Sequence, residues 1–167
     1  MMEQVKNVPA LRFSEFDGNW RDTYVGELGE LNGGGTPSTS VAEFWKGNIP
    51  WVSSSDLVDD NINYIRQYRF ITKEAIDKSA TKRIPANSIL IVSRVGVGKV
   101  AINQTELCTS QDFQSLTPRD DYYTFLAYLI QLKTKELIEL NQGTSIKGFV
   151  KSELAKFKLS IPALPEQ

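Results

Sequence analysis

Two hydrophobic rhythms run along this chain, and the changes between them mark its elements. The continuous apolar run ILIV, inside IPANSILIVSR, predicts a strand over Ser88–Ser93 buried on both faces. Pro85-Ala86-Asn87 makes a turn before it, and VGVGKVAIN reads as a tight hairpin into a second strand, Val100–Asn103. Shorter strands are predicted at Ile49–Val52, around Phe113–Leu116 and at Phe157–Ile161. NYIRQYRFIT, rich in aromatic and β-branched residues, predicts a longer strand over Asn63–Thr72. LRFSEF places Leu11, Phe13 and Phe16 ahead of an Asp17-Gly18 turn, and Tyr24–Leu31 fits either a strand or a short helix.

Helical spacing is clearest in TFLAYLIQLKTKELIEL. There Phe125, Leu126, Leu129, Ile130, Leu132, Leu137, Ile138 and Leu140 share a broad apolar face, which predicts a core-packing helix over Thr124–Leu140. Thr72 suits an N-cap for a short helix in KEAIDKSA, with Ala75 and Ile76 inward. Ser55 or Asp56 suits a cap after Val52, and Ser152 one for a short helix over Lys151–Lys156. Helices and short strands are intermixed without a repeat. The pattern therefore predicts one α+β domain over residues 1–167, with short, mostly antiparallel twisted strands.

Composition narrows the chemistry. The 167 residues are 41% hydrophobic and 23% charged, as in a soluble globular domain with its own core. No apolar run approaches the roughly 18 residues of a membrane-spanning helix. MMEQVKNVPALRF has no signal-peptide core, so a cytoplasmic protein is expected. There is one cysteine and no histidine. That excludes an internal disulfide, Cys/His zinc sites and histidine-based triads. Cys108 is expected as a small buried hydrophobe. The net charge of −1 speaks mildly against a nucleic-acid binder. The charge is uneven, however: residues 1–81 hold 8 basic and 12 acidic groups, and residues 82–158 hold 11 and 7. Such an asymmetry suits a face that attracts an anion, or a merely uneven solvated surface.

Several loops carry candidate chemistry. GVGK, Gly96–Lys99, lacks the glycine spacing of a phosphate-binding P-loop, and Val100 stands where its Ser or Thr belongs. It suits a glycine hairpin turn; alternatively Arg94 and Lys99 project from it together toward phosphates or base edges. NGGGTPSTS, Asn32–Ser40, has the composition of an anion-cradling nest, with Thr36, Ser38 and Thr39 as its hydroxyls. WVSSSDL offers Ser54, Ser55 and Asp56, which equally suit a turn. SQDFQSL sets Gln111, Asp112 and Gln114 close together; Gln pairs with adenine and Asp accepts from cytosine, though a polar surface has the same look. NQGTSIKGFVKSEL joins the long helix to a basic stretch. Its Thr144, Ser145 and Lys147 suit a polyanion, and the competing reading is a loop that locks the helix to the sheet.

Taken in order, these blocks are recognisable. VPALRFSEFDGNW, GGGTPSTS, FWKGNIPWVSSSDL, ANSILIVSRVGVGKVAIN, SQDFQSL, NQGTSIKGFVKSEL and SIPALPEQ span nearly the whole chain. Together they resemble the target recognition domain of the specificity (S) subunit of type I restriction-modification enzymes. The resemblance implies a non-catalytic, DNA-reading subunit in which each of two recognition domains reads half of a bipartite target. It also implies methyltransferase (M) and restriction (R) subunits as partners. S-adenosylmethionine, ATP and Mg²⁺ are expected on those subunits, and no cofactor or metal on this chain. No Asn/Asp-Pro-Pro-aromatic methylation motif is present. The leader matches the first of the two domains, and the spacer helix expected after LPEQ is not included.

On this resemblance the expected DNA contacts are Thr36, Ser38, Thr39, Ser54, Ser55, Asp56, Arg94, Lys99, Gln111, Asp112, Gln114, Thr144, Ser145 and Lys147, with Asn61, Asn63 and Arg66 as further candidates. Lysines and hydroxyls would grip phosphates, while Arg94, Gln111, Asp112 and Gln114 would read bases. Two other readings stay open. One is a half-subunit that binds or regulates methyltransferase subunits without reading DNA. The other is a small Mg²⁺ enzyme using Asp56 and Asp112, although no acidic pair has metal-site spacing.

Overall fold

The computed structural model describes residues 8–66, 68–140 and 148–167, with the backbone alone for 136–140. Its strands are β1 (Arg21–Tyr24), β2 (Gly29–Gly33), β3 (Ile49–Val52), β4 (Arg69–Ile71), β5 (Arg83–Ile84), β6 (Ile89–Val92), β7 (Val100–Ile102), β8 (Leu107–Thr109), β9 (Phe113–Pro118) and β10 (Lys158–Ile161). The helices are α1 (Val25–Leu28), α2 (Lys73–Asp77), α3 (Tyr123–Leu140) and α4 (Lys151–Leu154). One four-stranded sheet runs β2-β9-β6-β7 and a second runs β4-β3-β8-β5, while β1 pairs with β10. Pairing is antiparallel except for β3 beside β8. The class is α+β, as the hydrophobic pattern predicts.

Strand β6 explains the layering. All four of its side chains are fully buried, and successive ones point to opposite faces. Ile89 and Ile91 join Leu126, Ala127 and Ile130 of α3, with Leu154, Leu159 and Ile161. Leu90 and Val92 turn the other way, to Val52, Ile84, Leu107 and Phe113 between the two sheets. Beyond the second sheet, Phe44, Ile49, Trp51, Ile71, Ala75 and Cys108 form a third cluster under α2. The stack is thus helix, sheet, sheet, short helix, and β6 needs apolar residues on both faces because both are covered.

Other elements depart from their sequence signals. The strand predicted over Asn63–Thr72 shrinks to Arg69–Ile71, because the chain before it pairs only through the single bridge Leu57–Ile65. Ile62 joins the core under α3 and Ile65 the core between the sheets, while Tyr64 and Phe70 stay exposed. LRFSEF forms no strand, and Leu11 and Phe13 are exposed. Tyr24–Leu31 divides among the end of β1, the one-turn α1 and β2. Thr72 does cap α2, its hydroxyl accepting the Ala75 N–H at 3.1 Å. Helix α4 starts from Val150, whose N–H is taken by the Glu153 carboxylate at 2.9 Å, so Ser152 is not the cap. Among the described residues no helix is long and apolar enough to cross a membrane.

A clasp joins the two ends. Arg12 donates two hydrogen bonds to Glu166, at 2.7 and 2.6 Å, and the Trp20 indole adds a third at 3.0 Å. The Arg12 contact holds the Glu166 carboxyl below its usual range.

Asn103 fastens the start of β6 and was not singled out by sequence. Fully buried, it accepts the Ser88 N–H at 2.8 Å and donates to the carbonyls of Pro85 at 2.7 Å and Thr105 at 2.9 Å. Asn103→Ala leaves those groups orphaned, and each unsatisfied buried group costs about 1–3 kcal/mol. We predict at least about 2 kcal/mol of lost stability. The expected sign in urea is a lower midpoint with an unchanged slope; an unmoved midpoint contradicts the assignment.

Candidate nucleic-acid interface

Four loops meet at one edge of the stack because strands of the two sheets end side by side. Parallel β3 and β8 place Val52 opposite Thr109, and the Ser110 N–H donates to the Val52 carbonyl at 2.9 Å. The Ser53–Asp56 corner and the Ser110–Gln114 segment therefore start as neighbours. The glycine loop after β2 folds onto the same edge: the Gly35 N–H donates to the Thr109 carbonyl at 2.8 Å, and the Trp51 indole donates to the Gly35 carbonyl at 3.0 Å. The turn after β6 is tied in by Ser93, whose N–H donates to the Asp112 carbonyl at 2.7 Å.

Two of these loops, the turn after β6 and the Ser110–Gln114 segment, face residues 148–153 across a hollow of about 300 Å³ lined by Ser93, Arg94, Gln111, Gln114, Gly148, Phe149, Val150 and Glu153. Arg94 and Gln111 are exposed. The Thr36 hydroxyl donates to the Gln111 side-chain carbonyl, and the Gln111 amide N–H groups have no partner among the described residues. Gln114, at the end of the β2–β9 register, has a buried Oε1 that is unpartnered among the described residues. The far wall is pinned by Gly148. Its φ is +86°, and a Cβ there would lie 2.2 Å from the Ser93 carbonyl oxygen, which also accepts the Phe149 N–H at 2.9 Å. Only glycine fits that approach without strain.

Of the expected contacts, the structure thus gathers Thr36, Arg94, Gln111 and Gln114. Ser38 and Thr39 are exposed further along the glycine loop; the Ser38 hydroxyl sits 2.7 Å from that of Ser40, and its carbonyl accepts the Trp45 indole at 3.2 Å. Asp112 is half-buried, its carboxylate accepting from the Ser110 hydroxyl at 3.1 Å. Ser55 is exposed and Ser54 is buried. Arg94 and Lys99 do not project together. The turn between them contains Gly96 and Gly98 at φ +85° and +99°, as a glycine hairpin requires. Lys99 leans toward the Leu57 carbonyl at 3.4 Å and Asp59 at 3.5 Å, in a separate hollow with Asp60 and Lys135. Residues 141–147, and with them Thr144, Ser145 and Lys147, lie outside the described residues.

Asp56 does a different job from the one expected of it. Its side chain is only 7% exposed and accepts the Ser53 N–H at 2.7 Å and the Ser53 hydroxyl at 3.0 Å. It also pairs with Arg69, whose guanidinium stacks on Trp51 at 4.7 Å. That largely buried carboxylate organises the corner through its Oδ2. Arg69, Ser53, Ser93 and Glu153 are polar residues of this edge that sequence reasoning missed. Cys108 is buried, and burial pushes its thiol pKa up, which leaves it inert as a nucleophile.

The arrangement sets arginine, glutamine and hydroxyl groups on strand-tied loops at one edge, where they can exchange hydrogen bonds with a polar partner. The chain belongs to the type I restriction modification DNA specificity domain family, whose model matches residues 18–167. It is 33% identical over 153 residues to the type I restriction enzyme MjaIX specificity subunit of Methanocaldococcus jannaschii, an alignment covering 89% of this chain and 35% of that protein. To the EcoR124I/EcoR124II specificity subunit of Escherichia coli it is 34% identical, covering 94% of this chain and 40% of that protein. It therefore spans well under half the length of these curated relatives. The fold is shared with the HsdS subunit from Thermoanaerobacter tengcongensis, with a TM-score of 0.66 at 20% identity, over 88% of this chain and 34% of that one. A chain from a study of assembly and conformational transition in the type I R-M system gives 0.68, again at 20% identity, over 88% of this chain and 35% of that one.

Asp56→Ala removes the cap that closes the Ser53–Asp56 corner, which costs about 1–2 kcal/mol. A lower thermal midpoint is the expected result. An unchanged midpoint contradicts the structural role of Asp56.

Proposed function

We propose that this chain reads DNA sequence as a target recognition domain, supplying one half of a bipartite target to a type I restriction-modification complex. The observation that carries the reading is the hollow holding Arg94, Gln111 and Gln114, in a chain whose family is defined by DNA specificity. Arginine donates in pairs to guanine, and glutamine pairs with adenine, so these side chains have the chemistry to discriminate base edges. The domain catalyses nothing itself in this reading. Methylation falls to M subunits that carry S-adenosylmethionine, and cleavage to R subunits that use ATP and Mg²⁺. This chain holds no cofactor.

The acidic balance of the chain fits that division. With a net charge of −1 the domain alone has little to neutralise phosphates with, and phosphate neutralisation supplies much of protein–DNA affinity. Binding by the isolated domain is then weak and salt-sensitive, and sequence-selective binding needs the assembled complex.

The test is to co-express the chain, joined to a spacer helix of the family, with a methyltransferase subunit, and to map methyladenine in host DNA. One recurring motif is expected. Arg94→Ala and Gln111→Ala should each relax it at one position, at about 1–3 kcal/mol of lost discrimination per base contact. A complex that copurifies yet marks no motif contradicts DNA reading and returns the chain to an interaction module.

A further inference from the structure

Two arginines stand at the Ser53–Asp56 corner, outside the hollow that holds Arg94. Arg69 is fixed before any ligand arrives. Its Nη2 donates to the Ser53 hydroxyl at 2.6 Å and to Asp56, its plane rests on Trp51, and its side chain is still 38% exposed. Its Nε is buried with no partner among the described residues. One nitrogen, Nη1, is left to offer outward. Bidentate reading of guanine takes two guanidinium nitrogens, and Arg69 does not have two free. A single outward NH₂ group suits phosphate oxygens.

Arg66 completes the corner. Its backbone N–H donates to the Asp56 carbonyl at 2.6 Å, which sets its Cα beside the same turn. Its exposed side chain has no partner among the described residues, so its charge is uncompensated where that of Arg69 is partly offset by Asp56. The Ser53 hydroxyl spends its one proton on Asp56, but the exposed Ser55 hydroxyl, 2.9 Å from it, can turn its proton outward as a further donor. The corner adjoins the hollow through the β3–β8 pair, because Val52 and Ser110 are bonded and Ser53 and Gln111 follow them.

We propose that Arg66 and Arg69, with the Ser55 hydroxyl, form a phosphate anchor that grips the DNA backbone without reading sequence. Base reading is left to the neighbouring hollow. The Trp51 stack and Asp56 act on Arg69 as positioning groups, spending its side-chain freedom in advance. This inference deepens the proposed function and takes the identity of the polyanion from it.

A phosphate contact and a base contact leave different traces. Arg66→Gln and Arg69→Gln would be titrated, in the 167-residue chain, against a mixed-sequence duplex at several salt concentrations. The same variants would be mapped for methyladenine as above. Each lost phosphate contact should reduce the slope of log K against log salt by about 0.9. The methylation motif should stay the same. Arg66→Gln guards against misfolding, since among the described residues that side chain makes no hydrogen bond or ion pair; thermal unfolding of both variants checks it. Unchanged slopes in folded variants, no duplex binding by the wild-type chain even at low salt, or an altered motif would each overturn the anchor. Reduced slopes with no motif from the wild-type complex would sink the sequence-reading function and leave the anchor standing. A motif with unchanged slopes would do the reverse.

Discussion

The double burial of strand β6 is the constraint on which the rest of the structure depends. Ile89, Leu90, Ile91 and Val92 are all sealed from water, two against α3 and two against the second sheet. Each such side chain contributes about 1.5–3 kcal/mol of transfer free energy, so this one strand binds three layers together. A register slip by one residue would swap which side chains face which core. The hydrogen-bonded neighbours β7 and β9 then have little freedom, and the turn after Val92 is delivered to a fixed point. Arg94 sits in that turn.

The recognition edge inherits this rigidity from both sheets. Ser93 leaves β6 bonded to Asp112, the parallel β3–β8 pair sets the Ser53–Asp56 corner beside Ser110, and Gly148 is pressed against the Ser93 carbonyl. The backbones of these loops are tied to strands. If the hollow reads bases as proposed, its side chains can change without moving the proposed backbone anchor.

The legible parts of the chain were local ones. The ILIV run announces a doubly buried strand by its lack of alternation, and Thr72 announces a helix start from the residues just after it. Arg94, Gln111 and Gln114 were picked by chemistry and by their place in recognisable blocks, and the fold does bring them to one hollow. The failures share a cause. Asn63–Thr72 has strand composition, but among the described residues its first half pairs only through the Leu57–Ile65 bridge, so propensity has little to pair with. Asp56 looked like a free carboxylate because Arg69, its partner, is thirteen residues away. Arg94 and Lys99 looked like a pair because they are close in sequence, yet Asp59 and the Leu57 carbonyl draw Lys99 off. Asn103 was invisible because its partners lie on both sides of a hairpin.

The central claim is that DNA meets this domain at the edge where the four loops converge. Amide hydrogen exchange of the complex with its methyltransferase subunit, compared with and without duplex carrying the target, tests it most directly. Slowed exchange on adding DNA is expected in residues 33–40, 53–56, 93–99 and 110–114, with α2 and the β1–β10 pair unaffected. Protection confined to α3, α2 or the Arg12–Glu166 clasp, with those loops unchanged, would contradict the account.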